Sequence, residues 1–291
     1  MFEGAHTALV TPFRNNRLDE AAYTALIENQ IANGITGIVP VGTTGESPTL
    51  DHAEHHRVIE LAVKVAAKRC LVIAGTGSNS TDEAISLTVE AEKAGADAAL
   101  LVAPYYNKPS QEGLFRHFKA IAEATKLLIV LYSIPGRCGI EIGVETVRRL
   151  AEACPNIVAI KEAGGSVDRV SQLRQMLPAT FEILSGDDGL TLPFIAAGAV
   201  GVISVASNII PREVSDLVKA ALGGMPTQAL ALHERWYPLF RDLFIEPNPV
   251  PIKTALALQG LMAPDIRLPL CEMSEENNRK LRATLASLKL V

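Results

Sequence analysis

The chain has 291 residues, 48% of them hydrophobic, and a formal net charge of −5. That length suits one large α/β domain, or one domain with an appendix. Basic and acidic residues are interleaved without a basic tract, which argues against nucleic acid or an anionic membrane as a partner.

The first stretch, "MFEGAHTALVTP", lacks a charged segment followed by a long apolar one, so no signal peptide is expected. Short apolar runs then recur: 6–10, 37–41, 71–75, 98–102, 127–132, 157–161, 181–185 and 199–204. Each is apolar on both faces, as a parallel strand covered on both sides must be. The early spacings, about thirty residues, leave room for a loop, a helix and a second loop. "LDHAEHHRVIELAVKVAAK" places Val58, Ile59, Ala62, Val63 and Ala66 along one helical stripe. "STDEAISLTVEAEKAG" opens with Ser80 and Glu83 at capping-box spacing. Gly34, Gly95 and Gly198 each close a helix-like segment before a strand. Eight strands alternating with helices predict a (β/α)8 TIM barrel, with an open doubly wound sheet as the rival. The barrel is expected to occupy residues 1–224. Residues 225–291 carry helix-like segments without strands and read as a C-terminal helical domain, with Pro247, Pro249 and Pro251 as a rigid turn between two of its helices. No apolar run reaches the length of a membrane span. Cys70, Cys138, Cys154 and Cys271 are scattered, without a CxxC pair, and read as reduced thiols of a cytoplasmic protein.

In a barrel the chemistry sits at the carboxyl ends of the strands. Reading those ends in order gives Thr43 and Thr44 of "GTTGE", Tyr105 and Tyr106 of "PYYNKPSQEG", Tyr132 with Arg137 of "YSIPGR", Lys161 of "IKEA", Gly186 of "SGDD", and Ile203. A lysine ending an apolar strand is ordinarily a rim residue; one facing tyrosines, threonines and an arginine is not. A neutral lysine amine attacks a ketone to form a Schiff base, and desolvation inside a barrel favours the neutral form. Carbinolamine formation and dehydration need a proton shuttle, and a tyrosine hydroxyl both donates and accepts. Arg137 can grip a carboxylate through two N–H groups. Other signals are weaker. Asp187 and Asp188 read as loop and cap residues. His52, His55 and His56 stand at helical spacing, but with no HExxH and no third-ligand signal no metal is expected. "GTGSNS" has the wrong glycine spacing for a dinucleotide loop.

Together "GTTGES", "AGTGSNST", "PYYNKPSQEG", "YSIPGR", "IKEA", "SGDD" and "EPNPVPIK" resemble the dihydrodipicolinate synthases, now called 4-hydroxy-tetrahydrodipicolinate synthases, of the pyruvate-dependent class I aldolase superfamily that includes N-acetylneuraminate lyase. The resemblance runs from about residue 2 to the C-terminus. It implies condensation of pyruvate with L-aspartate 4-semialdehyde, the committed step toward diaminopimelate and lysine. By the resemblance, Lys161 forms the Schiff base, Tyr132 is proton donor and acceptor, and Thr43 and Tyr106 complete the relay, Tyr106 reaching in from a neighbouring subunit. Thr44, Ile203 and Gly186 would contact pyruvate or its partner, and Arg137 would take the semialdehyde carboxylate. A feedback site for L-lysine would be formed by Ser47, Pro48, His52, His55, Asn79, Glu83 and Tyr105. No metal or organic cofactor is implied, and the assembly would be a homotetramer, a dimer of dimers. Ser133 and Cys138 replace the usual residues of the loop that receives the second substrate, and so bear on the choice of aldehyde rather than on the Schiff base. Two rivals stand beside this reading: a pyruvate lyase for a keto-deoxy sugar acid or sialic acid, and a catalytically silent ligand-binding barrel.

Overall fold

The eight apolar runs become eight parallel strands that close on themselves. The computed structural model describes all residues 1–291. β1 (Gly4–Ala8) is followed by a small antiparallel hairpin, β2 (Phe13–Arg14) with β3 (Arg17–Leu18), and by α1 (Glu20–Ala32). The alternation continues through β4 (Gly37–Val39), α2 (His52–Ala66), β5 (Leu71–Gly75), α3 (Thr81–Ala94), β6 (Ala98–Val102) and α4 (Gln111–Glu123). Then come β7 (Leu128–Ser133), a single turn α5 (Pro135–Cys138), α6 (Val144–Ala153), β8 (Ile157–Glu162) and α7 (Val167–Met176). β9 (Glu182–Ser185), α8 (Thr191–Ala196), β10 (Gly201–Ser204) and α9 (Pro211–Leu222) complete the alternation. α10 (Pro226–Asp242), α11 (Val250–Leu258) and α12 (Glu275–Ser287) follow without strands between them. No helix is long and apolar enough to cross a membrane.

Closure rests on β1, which pairs with β10 (Gly4 opposite Gly201) and with β4 (His6 opposite Gly37). The open-sheet rival is thereby excluded, because neither β10 nor β4 is left as an edge. One apolar layer fills the space between strands and helices. A second cluster of only 11 buried residues, among them Ala8, Ala98, Leu100, Val130, Tyr132, Ala159 and Ile203, fills the lumen. Phe2 belongs to that cluster, and its N–H donates to Glu182 Oε2 at 2.7 Å.

The helix starts follow local chemistry, with one departure from expectation. Asp51 and Glu54 form the reciprocal capping box, at the start of α2. At α3 only half of the expected box exists: Ser80 Oγ accepts from the Glu83 N–H at 3.4 Å, but the Glu83 carboxylate turns to Ser78 and His52 instead. Gly95 ends α3 at φ +88°, a conformation that favours glycine.

The C-terminal helices are tied to the barrel by a buried ion pair. Lys253 on α11 pairs with Glu46 in the loop after β4, and neither side chain is exposed. The Phe13 ring lies 4.4 Å from Lys253 Nζ and 4.1 Å from the Arg267 guanidinium carbon. Removing one member strands a charge in a dry site, which costs about 3–5 kcal/mol. Lys253→Met is therefore expected to lower Tm by about 10 °C. Adding Glu46→Gln should restore part of the loss. Calorimetry checks both, and an unchanged Tm in Lys253→Met would mean that the pair does not hold the fold.

Candidate active site

β7 and β8 bring the two central side chains together. Along β8 the side chains alternate, so Ala159 and Lys161 face the lumen while Ile160 and Glu162 face outward. On β7, Val130 and Tyr132 face the lumen. The register of this pair is not plain: Ile129 opposes Ile157, but Val130 opposes Ala159, so Val158 is an extra residue on β8. Had the register run on from Ile157 without this shift, Tyr132 would lie opposite Ile160. With it Tyr132 lies opposite Lys161, and Lys161 Nζ sits 4.2 Å from the centre of the Tyr132 ring.

Burial sets the acid–base state of both groups. Lys161 is 6% exposed. Burial pushes its pKa down to about 7; the nearby Asp188 carboxylate opposes this and the Arg137 guanidinium assists it. An ammonium with the ordinary pKa near 10.4 would be neutral about once in 2,500 at pH 7; Lys161 is poised near its midpoint. The Tyr132 phenol moves up, chiefly through burial, with Arg137 and the Thr43 side chain pulling the other way. It is therefore a protonated phenol at neutral pH, able to donate.

The loop after β4 carries the threonines. Val41 (φ +51°) and Glu46 (φ +54°) both adopt left-handed backbone, which is costly for a β-branched valine and marks a strained loop. Thr43 lines a cavity of about 410 Å³ together with Tyr132, Arg137 and Cys138. Thr44 is buried, and its Oγ1 accepts from Asn248 Nδ2 at 2.9 Å. Arg137, on the one-turn α5, donates from Nη2 to the Asn248 carbonyl at 3.1 Å. Ile203 is fully buried in the lumen. Gly186 donates its N–H to the Glu162 carbonyl at 2.8 Å. A Cβ at Gly186 would lie 2.6 Å from Ala163 Cβ and 3.0 Å from Lys161 Cε. Gly186→Ala is thus expected to push the Lys161 stem aside and lower kcat/KM by at least about tenfold, since a misplacement of about 1 Å can cost 10²-fold. Steady-state kinetics with a parallel Tm measurement separates this from unfolding.

The dihydrodipicolinate synthetase family model matches residues 1–288. The chain belongs to this family. It is 52% identical over 291 residues to the 4-hydroxy-tetrahydrodipicolinate synthase of Thermodesulfovibrio yellowstonii, covering 100% of both chains. It superposes with a TM-score of 0.99, at 60% identity, on the structure of 4-hydroxy-tetrahydrodipicolinate synthase from Methylacidiphilum fumariolicum SolV, covering 99% of this chain and 96% of that one. The family enzyme of Cyanidioschyzon merolae, solved with lysine bound, matches at a TM-score of 0.97 and 42% identity, covering 100% and 99%.

As a member of the dihydrodipicolinate synthetase family, the chain carries its candidate effector residues next to its candidate catalytic ones. The same cavity that holds Thr43 and Tyr132 is also lined by Ser47, Pro48, His52, His55, Glu83 and Tyr105. His52 Nε2 lies 3.1 Å from Glu83 Oε1. The Ser78 and His52 side chains hold the Glu83 carboxyl below its ordinary range. His55 Nε2 lies 3.0 Å from the Gly75 carbonyl and so carries the hydrogen; burial pushes its pKa down to about 4. Asn79 is not in the cavity wall. It donates to the Tyr105 carbonyl at 3.2 Å and accepts from Asn107 Nδ2 at 2.8 Å, bracing the loop that carries the tyrosines.

Other expected site residues fall elsewhere. Tyr106 is 89% exposed with φ +73°, and within one chain it does not reach the cavity. Ser133 is not in the cavity wall. It points outward from β7, next to inward Tyr132, and Ile142 N–H donates to its Oγ at 3.4 Å. Cys138 does line the cavity. Sequence reasoning also misses three supports. Asp188 is no mere cap: it is buried, accepts from Ser204 Oγ and from the Val205 and Ala206 N–H groups at 3.0 Å each, and lies close enough to bias Lys161. Glu162 is locked outside the barrel by Arg169 Nε at 2.7 Å and by the Gly164 N–H at 2.7 Å, which fixes the strand end that presents Lys161. Asn248 touches both Thr44 and Arg137. Its signal is the motif "EPNPVPIK", but nothing local says which loop it meets.

Proposed function

We propose that the chain condenses pyruvate with L-aspartate 4-semialdehyde as a 4-hydroxy-tetrahydrodipicolinate synthase. The observation that carries the reading is a lysine at the carboxyl end of a barrel strand, desolvated to a pKa of about 7 and packed against a protonated tyrosine. The neutral Lys161 amine attacks the keto carbon of pyruvate. The carbinolamine loses water as the Tyr132 phenol, linked to Thr43, returns a proton to the departing hydroxyl. Loss of a methyl proton from the imine gives an enamine. Its carbon attacks the aldehyde, forming the new C–C bond. The substrate's own amine then displaces Lys161 as the ring closes. These steps need no metal or organic cofactor, since the protonated imine formed on Lys161 is the electron sink.

Arg137 in the cavity wall supports a carboxylate-bearing aldehyde over a polyol. On this reading residues 1–224 carry the chemistry, and residues 225–291 form the helical unit that backs it. Tyr106, exposed in one chain, completes the relay of a neighbouring subunit in a dimer that pairs into a tetramer. L-lysine inhibits from the Ser47, His52, His55 and Glu83 side of the cavity, and the enzyme works in the cytoplasm. The test is turnover with aspartate semialdehyde against sugar aldehydes, with pyruvate fixed and L-lysine titrated. Preference for sugar aldehydes would move the chain to the lyase branch of the superfamily. A flat response up to millimolar lysine would remove the feedback site.

A further inference from the structure

The segment 246–253 links α10 to α11 and carries contacts to two separate parts of the site. Asn248 Nδ2 donates to Thr44 Oγ1 at 2.9 Å, and the Asn248 carbonyl accepts from Arg137 Nη2 at 3.1 Å. Thr44 and Asn248 are 3% and 5% exposed. Five residues on, Lys253 anchors the same segment to Glu46, at the end of the threonine loop. We propose that Asn248 is a positioning residue for the first substrate: its amide N–H fixes the direction of the Thr44 hydroxyl, so that the O–H is presented to the pyruvate carboxylate. The proposal deepens the condensation reading and rests on it.

A threonine hydroxyl has one hydrogen and two lone pairs. The Asn248 N–H occupies one lone pair, and no acceptor in the chain takes the hydrogen. That hydrogen is left for a ligand, and a hydrogen bond to a carboxylate is among the stronger kinds. The amide's other end, Oδ1, is buried without a partner. A buried polar atom left unpaired is unfavourable, so the amide is not placed to satisfy itself. Arg137 is held by the main chain of Asn248, not its side chain. Changing the side chain therefore perturbs Thr44 and spares the grip on Arg137.

The test compares Asn248→Ala, Asn248→Asp, Thr44→Val and the double variant Asn248→Ala/Thr44→Val. The readouts are pyruvate half-saturation of borohydride trapping, KM for each substrate, kcat and Tm. In Asn248→Ala, pyruvate KM should rise about tenfold, as loss of one oriented hydrogen bond to a charged group implies, with a smaller change in semialdehyde KM. Asn248→Asp should raise it further, because a carboxylate accepts the Thr44 hydrogen and repels pyruvate. In the Thr44→Val background, Asn248→Ala should add nothing to pyruvate KM. Additive effects in the double variant, or a lower Tm or kcat at unchanged pyruvate KM, would overturn the proposal. Should the wild-type chain trap no pyruvate on Lys161, the condensation reading itself falls, and this proposal with it.

Discussion

Lys161→Ala is expected to lower kcat/KM by at least about 10⁴-fold, because it removes the atom that bonds to pyruvate and not merely a group that assists it. Borohydride reduction in the presence of pyruvate should leave an adduct on the wild-type peptide that carries Lys161 and none on the variant. The fold should survive, since the side chain sits at a strand end and makes no ion pair that holds an element in place. The pH dependence follows from the burial. A lowered pKa means that Lys161 is neutral above about pH 7 and protonated below it. The rate of adduct formation should therefore rise with pH through a midpoint near 7 and level off above it. A midpoint close to the ordinary lysine value would mean that the barrel interior does not desolvate the amine. Trapping on another lysine would reject the assignment outright.

Tyr132→Phe is the second large effect. The substitution keeps the ring beside Lys161 Nζ and removes only the hydroxyl. General acid–base assistance is worth about 10²–10⁴-fold, and kcat should fall within that range while Tm changes little. The adduct should still form, more slowly, because the nucleophile is intact. That split between slowed chemistry and preserved trapping distinguishes a proton shuttle from a packing residue. Activity within about twofold of wild type would pass the shuttle role to another group, since even weak general catalysis exceeds that margin.

Much of the site was legible because its parts lie at strand ends, where a barrel collects function. Some of what was missed was also legible. Period-two alternation already turns Ser133 outward once Tyr132 is inward, away from the cavity wall that Tyr132 helps to form. Capping-box spacing at Ser80 and Glu83 was a weaker guide. Spacing allows the reciprocal bond, but Ser78 and His52 compete for the same carboxylate and win it.

The amino-acid order alone specifies the eight strands, the helices between them and the helical tail, because each is written in local apolar periodicity and in cap or breaker residues. It also determined which lysine ends an apolar strand among tyrosines and threonines. Closure of the barrel was decided only by the tertiary structure, since the bonds of β1 to β10 join residues almost 200 positions apart. So was the extra residue Val158, which sets Lys161 opposite Tyr132. Thr44 meets Asn248, and Glu46 meets Lys253, across more than 200 positions. Such contacts leave no local periodicity to read. They form only when the folded barrel brings the C-terminal helices back over its first loops.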